Sequence, residues 1–488
     1  MPSSVNMPPF QPARNLPPIR VAPGGRYFET FENEPFHFLG FNDAISWVGL
    51  NGLFARRDYA AAEQYLAHLA ENGVTVLRLM LEYTHRESRY FEKPVGRFVP
   101  AMVRLWDDLF SLCAAHGIRV LLTPFDTFWM ARRWQRHPYN RANGGPAETP
   151  QSLLTDGATI EAVLNRLRFV VERWGGSGVI AAWDMWNEIH PHWGGTPAEQ
   201  AAALQRIGEG VRDHEERCNG FSRPQTVSIF GPDPGDYADL IFRGSGLDFA
   251  TTHIYQGAID FPQETVQPAL LMAKWVRHGV NQTPMSRPFT DSEHGPIHLF
   301  NDHRKYLPEP FDDEYERRLM WAHLASGGAG SGLRWPARHP HTATEGMLRS
   351  LRNLSRFLTE SGIDWRNFQS RDANDSVGLS APKDEPFHHA SVADDRQSLV
   401  YLLRDLPKKH KGITPQRRPL ADLSVRIAVN QPGDYRVRIW DTVKGEMIKH
   451  LSVATDPAHE KLSLTGDSVL TVPLPPVHEE VALTAVRE

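Results

Sequence analysis

The hydrophobic positions of this 488-residue chain follow a repeated alternation of two patterns. Short apolar runs, typical of buried strands, are each followed by a longer stretch with apolar side chains at helical spacing. The predicted strands are 36–41, 74–81, 118–124, 179–186, 226–230, 248–254, 288–292 and 332–335. The predicted helices are 58–71, 102–116, 159–174, 197–217, 237–242, 265–278, 313–326 and 345–360. Eight alternations predict an α/β protein with a (β/α)8 TIM barrel, since a doubly wound sheet has fewer units.

The two ends of the chain depart from this alternation. Residues 1–25 are rich in proline and are predicted to be an extension that wraps over the barrel or stays disordered. After the barrel, residues 26–365, the helical period disappears. The runs 398–403, 423–429, 434–441, 447–453 and 468–472 alternate or are apolar, with turn signals at 432–434 and 466–467. Residues 366–488 are therefore predicted to form a small antiparallel β-sandwich that supports the barrel or binds carbohydrate.

Composition and charge exclude several classes of protein. A hydrophobic content of 41% and a net charge of −5 fit a globular protein without the basic face that nucleic-acid binding needs. No stretch has the roughly 18–20 apolar residues of a membrane span. Residues 1–23 lack the apolar core of a signal peptide, so the expected compartment is the cytoplasm, or the periplasm or exterior if a leader has been removed. Cys113 and Cys218 are expected to be free thiols. The sequence gives no prediction of oligomeric state.

Two glutamates carry the functional interpretation. Glu188 ends Trp-Asp-Met-Trp-Asn-Glu after the fourth predicted strand, and Glu293 lies in Phe-Thr-Asp-Ser-Glu-His-Gly after the seventh. A carboxylate at the end of a buried strand is costly unless the protein uses it. The carboxyl ends of barrel strands meet at one rim, where active sites lie. Retaining glycosidases need such a pair, one acid/base and one nucleophile, about 5–5.5 Å apart.

Further polar and aromatic side chains fall where predicted strands stop. They are Asn42, Arg78, Asp126, Asn187, His253, Tyr255 and Trp335. Arg78 is predicted to keep the nucleophile ionised, or to form an ordinary core ion pair. Tyr255 is predicted to hydrogen-bond the nucleophile, and His253 to orient either carboxylate or to be a satisfied core histidine. Trp335 is predicted to be a stacking floor for a sugar ring or a packing residue, and the Asn187 amide could bond the 2-hydroxyl group.

These motifs resemble the clan A glycoside hydrolases, the "four/seven" barrels that include the family 5 cellulases and mannanases and the family 39 enzymes. The resemblance covers about residues 26–365 and rests on 186–188 (Trp-Asn-Glu), 253–255 (His-x-Tyr), 292–295 (Ser-Glu-His-Gly), Arg78 and Trp335. It implies that Glu188 is the acid/base and Glu293 the nucleophile. It also implies that Arg78, Asn187, His253, Tyr255 and Trp335 line the subsite of the reacting sugar. Neither a cofactor nor a metal is implied.

The third strand departs from the family 5 pattern, which usually has a histidine near its end. This chain has Asp126 there, followed by Phe128 and Trp129. An aspartate can bind two hydroxyl groups, so this change suggests a different reacting sugar. The segment that follows, 128–155, is predicted to be a rim loop that shapes or closes the cleft, or a structural flap. The residues that suggest this are Trp129, Arg132, Arg133, Trp134, His137, Tyr139 and Asn140.

The predicted function is a retaining glycoside hydrolase that cleaves β-glycosidic bonds, of the β-mannoside or β-glucoside type, in short oligosaccharides. His190, His192 and Trp193, directly after the acid/base, are predicted to form the leaving-group side. A transglycosylase and a catalytically inactive carbohydrate-binding barrel are the alternatives. A metal hydrolase built on His190/His192 and His339/His341 is disfavoured, because no third ligand has a suitable spacing.

Overall fold

A small sheet precedes the repeated units. The computed structural model describes residues 7–82, 89–244, 246–255, 264–295, 308–335, 343–405, 418–457 and 468–488. The antiparallel strands β1 (Ile19–Val21), β2 (Phe28–Thr30) and β3 (Pro35–Phe36) pair in that order. Leu16 is buried in the main core, and its amide donates to the carbonyl of Ser177 at 3.0 Å. The described part of the Pro-rich segment therefore packs on the barrel.

The central sheet is a closed parallel barrel. Its strands are β4 (Phe38–Asn42), β5 (Val76–Met80), β6 (Arg119–Thr123), β7 (Ile180–Asp184), β8 (Gln225–Thr226), β9 (Ser228–Ile229), β10 (Ala250–Tyr255), β11 (Phe289–Gly295) and β12 (Gly330–Arg334). They are ordered β8-β7-β6-β5-β4-β12-β11-β10-β9. Because β8 and β9 are two halves of one strand interrupted at Val227, the two ends of this order meet. The predicted (β/α)8 barrel is confirmed.

Helices surround the barrel. They are α1 (Val48–Arg56), α2 (Tyr59–Glu71), α3 (Pro100–Ala115), α4 (Thr127–Arg132), α5 (Gly157–Trp174), α6 (Pro197–Asn219), α7 (Val266–Gln282), α8 (Glu309–Ala325) and α9 (Glu345–Glu360). The fifth predicted helix is a single π-helical segment, Ala238–Arg243. Side-chain caps explain several starts: Asp58 accepts from Ala61 N before α2, and Thr196 forms a capping box with Glu199 in α6. Two short helices, α1 and α4, were not predicted.

Strand ends differ from the prediction at three site positions. Arg78 lies in the middle of β5, and the strand β6 ends at Thr123, before Asp126. The strand β11 continues past the apolar run to Gly295, because His253 and Tyr255 of β10 pair with Glu293 and Gly295. Burial on both faces lets polar residues continue a strand that hydrophobicity alone would end.

The C-terminal residues form the predicted β-sandwich, which is confirmed. Its strands are β13 (Arg371–Asp372), β14 (Val377–Ser380), β15 (Phe387–Ala393), β16 (Gln397–Arg404), β17 (Ser424–Val429), β18 (Asp434–Asp441), β19 (Glu446–Ala454), β20 (Asp456–Pro457), β21 (Ser468–Pro473) and β22 (Glu480–Arg487). One antiparallel sheet has the order β13-β15-β16-β22-β18-β19 and the other β14-β17-β21-β20. Alternate residues such as Val400, Ile427 and Leu483 form a shared core. The predicted turn at 466–467 lies outside the described residues.

The sandwich packs on α8 and α9 of the barrel. The rings of Trp321 and Tyr401 stack with centroids 6.0 Å apart, and Phe357 meets Trp440 edge to face at 5.4 Å. Glu480 is buried and accepts hydrogen bonds from barrel arginines, so the contact is both apolar and charged. Cys113 is buried and Cys218 is exposed, and both are free thiols, as predicted. Among the described residues, no helix is both long and apolar enough for a bilayer.

Candidate active site

Arg78 is the centre of a buried hydrogen-bond network at the carboxyl end of the barrel. Its Nη1 donates to Asn42 Oδ1 at 2.8 Å and to Glu293 Oε2 at 2.7 Å. Its Nη2 donates to Asp184 Oδ2 and Asn187 Oδ1, each at 2.7 Å. The guanidinium therefore links the first, second, fourth and seventh strands of the barrel. Burial alone would lower the pKa of Arg78, but the two carboxylates raise it overall, so Arg78 is charged at all relevant pH values.

Glu293 is held in the ionised form. Arg78 bonds one carboxylate oxygen, and the Tyr255 hydroxyl donates to the other. The Trp335 indole also hydrogen-bonds Glu293. Burial alone would raise the pKa of Glu293, but the charges of His253 and Arg78 and these hydrogen bonds lower it overall. A buried, ionised carboxylate with fixed donors has the electrostatic environment that a nucleophile needs.

Glu188 follows the fourth strand on a sharp turn. Its φ of 56° lies in the left-handed region, and its amide donates to Ser228 Oγ at 3.0 Å. His253 Nδ1 lies 2.8 Å from Glu188 Oε1, and one carboxylate oxygen of Glu188, one of Glu293 and a ring nitrogen of His253 lie within 4.8 Å of one another. Burial would lower the pKa of His253, but the charges of Glu293 and Glu188 raise it overall, which favours Nδ1–H as the donor.

Hydrogen bonds fix the side-chain amides of Asn42 and Asn187. Asn42 Nδ2 donates to the carbonyls of Ser292 at 2.8 Å and Leu333 at 2.6 Å, which fixes its Oδ1 towards Arg78. Asn187 Nδ2 donates to Thr127 Oγ1 at 2.9 Å. The Thr127 bond uses one of the two N–H groups of this amide, so the second can donate to a 2-hydroxyl group while the first stays in place.

Asp126 is a buried carboxyl group on the same side of the barrel. Its Oδ1 accepts from Trp129 N at 3.1 Å as the N-cap of α4, and its Oδ2 has no partner among the described residues. Burial raises the pKa of Asp126 to about 8. The hydrogen bond from Trp129 N lowers the pKa, the charges of Glu293 and Glu188 raise it, and that of Arg78 lowers it, but burial is the largest effect. Asp126 is therefore a neutral acid at neutral pH, with a proton to donate.

Aromatic rings form one wall of the site. Trp335, directly after the eighth strand, lies against Trp47 with ring centroids 4.7 Å apart and an interplanar angle of 55°. Trp129 and Tyr255 are partly buried hydrophobic residues that pack against the same cluster. Trp129, which was predicted at the rim, thus lies next to Trp335, which was predicted as the stacking floor. Both tryptophans belong to one aromatic surface beside Glu293.

A second network lies behind Glu293. The pairing of β10 and β11 shifts by one residue just before Glu293, and Asp291 Oδ1 accepts the amides of Glu293 at 3.2 Å and Ile254 at 3.3 Å. Asp291 Oδ2 lies 2.5 Å from His294 Nδ1, and Glu316 lies 3.6 Å from His294 Nε2. Burial would lower the pKa of His294, but these carboxylates raise it to about 9. Asp291 thus fixes the backbone that carries the nucleophile candidate.

The segment after the third strand is only partly a rim loop. Residues 128–136, apart from the buried Met130, are exposed or half-buried, but His137, Tyr139 and Asn140 are buried. For these three residues the structure fits the alternative of a structural flap and not that of a rim loop. His137 Nε2 lies 2.9 Å from Glu82 Oε1, and Tyr139 hydrogen-bonds Glu92 at 3.3 Å. Since Arg166 Nε also bonds Glu92 at 2.5 Å, a buried charge cluster anchors the segment.

The structure gives one grouping with metal-ligand spacing among the described residues, Glu188, His253 and Glu293. A guanidinium 2.7 Å from Glu293 opposes a cation there, and Glu293 already uses both oxygens for protein donors. His190 and His192 lie near each other, but His190 Nδ1 accepts the His192 amide at 3.1 Å. The predicted pair at 339 and 341 lies outside the described residues. The donor set therefore fits proton transfer better than metal binding.

Several residues that position the site were not predicted from the sequence. They are Trp47, Thr127, Asp184, Ser228 and Asp291. Asp184 and Asp291 had a detectable signal, because each is a charged residue inside the predicted strand that leads to one of the two glutamates. The others look like ordinary strand and loop residues, and their partners lie far away in the sequence.

The fold and the site together define a (β/α)8 barrel with two facing glutamates after the fourth and on the seventh strand. No protein-family model and no curated protein matches the chain. A solved structure described as a glycoside hydrolase aligns with 98% of this chain and 97% of its own, with TM-score 0.57 and 13% identity. A family 5 glycoside hydrolase from Bacteroides vulgatus aligns over 97% and 95%, with TM-score 0.57 and 11% identity. This similarity confirms the predicted resemblance at the level of the fold.

Proposed function

We propose that this protein is a retaining β-glycoside hydrolase with Glu293 as nucleophile and Glu188 as acid/base. The observation that supports this most strongly is the spacing of the two carboxyl groups, whose nearer oxygens lie within 4.8 Å. Retaining enzymes have carboxyl groups about 5–5.5 Å apart, and inverting enzymes roughly 6.5–9.5 Å apart to admit a water molecule. The similarity of fold to solved glycoside hydrolases is consistent with this proposal, but a shared fold alone does not establish an activity.

In the first step, a Glu293 oxygen attacks the anomeric carbon, and the bond to the leaving oxygen breaks. Glu188 gives its proton to that oxygen, so the aglycone leaves as a neutral alcohol. His253 Nδ1–H, 2.8 Å from Glu188 Oε1, fixes one oxygen as an acceptor and leaves the other for the transferred proton. Arg78 and Tyr255 hold Glu293 against rotation during attack.

In the second step, Glu188, now deprotonated, takes a proton from a water molecule that attacks the same anomeric carbon. The bond to Glu293 breaks, and the sugar leaves with its original configuration. The carboxylate of Glu293 returns to its hydrogen bonds with Arg78 and Tyr255, which stabilise it as a leaving group.

The reacting sugar is proposed to be a β-mannoside or β-glucoside unit. Asp126 and Trp335 would both contact it. A neutral Asp126 can donate a hydrogen bond from Oδ2 and is not repelled by Glu188 and Glu293. Trp335 offers a flat apolar face to the C–H groups of the ring. A transglycosylase would use the same residues with a sugar as acceptor in place of water.

A trapping experiment tests the mechanism. The wild type is incubated with 2-deoxy-2-fluoro β-mannosyl and β-glucosyl fluorides, and the intact protein is measured by mass spectrometry. One added fluorosugar, located on the peptide that contains Glu293, is the expected result. Glu293→Gln should neither form the adduct nor turn over 4-nitrophenyl β-glycosides, while Asp441→Asn in the sandwich serves as the control variant. An adduct on another residue, or hydrolysis with inverted configuration, would contradict the assignment.

A further inference from the structure

The chain that follows the acid/base candidate forms an aromatic surface on the rim. Ile189 pairs in parallel with Ile229 of β9, and the amide of Phe230 donates to the carbonyl of Ile189 at 3.2 Å. His190 and Phe230 therefore extend together past the carboxyl ends of the fourth and fifth strands. We call Phe230, His190 and His192 the aromatic ridge.

The ridge is continuous and exposed. The Phe230 and His190 ring centroids lie 5.1 Å apart, and those of His190 and His192 lie 5.5 Å apart in a stacked arrangement. Phe230 is 57% exposed, the largest value among the large apolar side chains of the described residues. A single exposed phenyl group is ordinary elsewhere on a protein surface. Here it lies beside the residue that donates a proton to the departing oxygen.

Hydrogen bonds connect the ridge and its neighbours to the backbone of Glu188. The Trp193 indole donates to the carbonyl of Glu188 at 3.0 Å, and its ring lies 6.0 Å from that of His190. Ser228, two residues before Phe230, bonds the amide of Glu188 at 3.0 Å. The position of the ridge relative to the proton donor is therefore fixed on both sides.

Each histidine of the ridge uses one of its two ring nitrogens within the protein. His190 Nδ1 accepts the His192 amide at 3.1 Å, and His192 Nε2 lies 3.3 Å from Gln151 Nε2. Burial and then the charge of His192 lower the pKa of His190, so the ring is neutral at neutral pH. The ridge therefore offers a ligand three ring faces, which suit stacking, and one ring nitrogen of each histidine.

We propose that the aromatic ridge is the leaving-group subsite and that it prefers a flat, apolar aglycone, such as an aryl group, to a second sugar. This inference rests on the proposed function, because the assignment of Glu188 as proton donor places the departing group on this side of the reacting bond. Any group attached to the departing oxygen must lie next to the residue that protonates it. The exposed phenyl ring of Phe230, whose amide bonds the carbonyl of the residue after Glu188, is the contact we assign to that group.

Thioglycosides test the subsite without hydrolysis. Phenyl and methyl 1-thio-β-D-mannopyranoside and 1-thio-β-D-glucopyranoside are titrated calorimetrically into the wild type, Phe230→Ala and Phe31→Ala. The wild type should bind the phenyl compound of one sugar more tightly than the methyl compound. Phe230→Ala should lose roughly 3- to 10-fold of that preference, which corresponds to one aromatic contact, and should bind the methyl compound unchanged. Phe31→Ala, which removes a 37% exposed phenyl group after β2, should behave as the wild type.

Each other outcome is decisive. Equal affinity of the wild type for phenyl and methyl compounds, including no binding of either, overturns the inference. An intact preference in Phe230→Ala does the same, and so does tighter binding of the corresponding thio-linked disaccharide than of the phenyl compound. A phenyl preference that depends on Phe230, in a protein that hydrolyses none of the O-glycosides, would support the subsite and refute the proposed function.

Discussion

Replacement of Asp126 by asparagine tests whether this buried group is a neutral acid. Asparagine keeps an oxygen that can cap α4 at Trp129 N, and it cannot ionise. Burial raises the pKa of Asp126 from its ordinary value of 3.8 to about 8 in the folded protein. Between these values the folded protein keeps a proton that the unfolded chain releases. The contribution of Asp126 to stability is therefore fully present below about pH 4 and is lost as the pH rises through 8.

The size of the effect follows from the shift. The wild type should lose about 1.4 kcal/mol of unfolding free energy per pH unit across this window, relative to Asp126→Asn. Across the three units from pH 4 to pH 7 the difference in unfolding free energy between the two proteins should change by roughly 4 kcal/mol in favour of the asparagine variant. Above pH 8 it should stop growing, because both states of the wild type are then ionised.

Urea unfolding from pH 4 to pH 9, followed by far-UV circular dichroism, measures this difference. Asp156→Asn is the matched control, since Asp156 caps α5 through the amides of Ala158 and Thr159 at the surface. This variant shows how the Asp→Asn change affects the unfolding free energy at a helix cap that is not deeply buried. Unfolding free energies of wild type and Asp126→Asn that run parallel over the whole range would refute the reasoning, since Asp126 would then be ionised in the folded protein.

Four further substitutions give predictions for catalysis and stability. Glu188→Ala should lose far more activity on alkyl glycosides than on 2,4-dinitrophenyl glycosides, because the latter need little acid assistance. Azide should restore turnover of this variant and give a β-glycosyl azide as product. Equal losses on both substrates would argue against Glu188 as the acid/base. Arg78→Met should lower the unfolding free energy by about 3–5 kcal/mol in urea titrations, because it leaves buried carboxylates unpaired. Asp291→Asn should lower kcat by roughly 10- to 100-fold with little change in KM, since it loosens the backbone of Glu293, the proposed nucleophile, rather than the sugar site. An equal rise in KM would indicate general disorder of the site. Glu480→Gln should lower Tm at pH 7 without changing kcat/KM. Burial raises the pKa of Glu480, but the barrel arginines lower it to about 2 overall. The difference in Tm between wild type and variant should therefore shrink as the pH falls from 4.5 towards 2.

The sequence predicted the barrel well because its strands and helices have local signatures. The helix 345–360 and the strand 434–441 were predicted with the observed bounds. The helix α1 was missed because Gly and Asn interrupt its apolar pattern, and α4 because its six residues are too few for a period. The interrupted fifth strand was predicted as one continuous run, since nothing local marks Val227 as a break.

The candidate site residues were predicted because the carboxyl ends of barrel strands converge on one face, independently of the loop conformations. Their partners were not predictable in the same way. Arg78 bonds Asp184 and Glu293, which lie 106 and 215 residues further along the chain. The burial of His137 and Tyr139 depends on Glu82 and Arg166, which are likewise distant in sequence. Such pairings are set by the closed barrel and not by any local preference.

The conformation of Glu188 shows how far the tertiary structure determines the site. A left-handed backbone at a residue other than glycine costs roughly 1–2 kcal/mol, and local sequence gives no reason for it here. The cost is offset by hydrogen bonds that fix both sides of the residue, from its amide to Ser228 Oγ and from the Trp193 indole to its carbonyl. Ser228 begins the second half of the interrupted strand, and its own amide bonds Asp184 Oδ1 at 2.9 Å. The break in the fifth strand and the turn at Glu188 therefore form one structural unit, and a change at Ser228 should displace the Glu188 carboxyl group at a smaller loss of stability than would unfold the barrel.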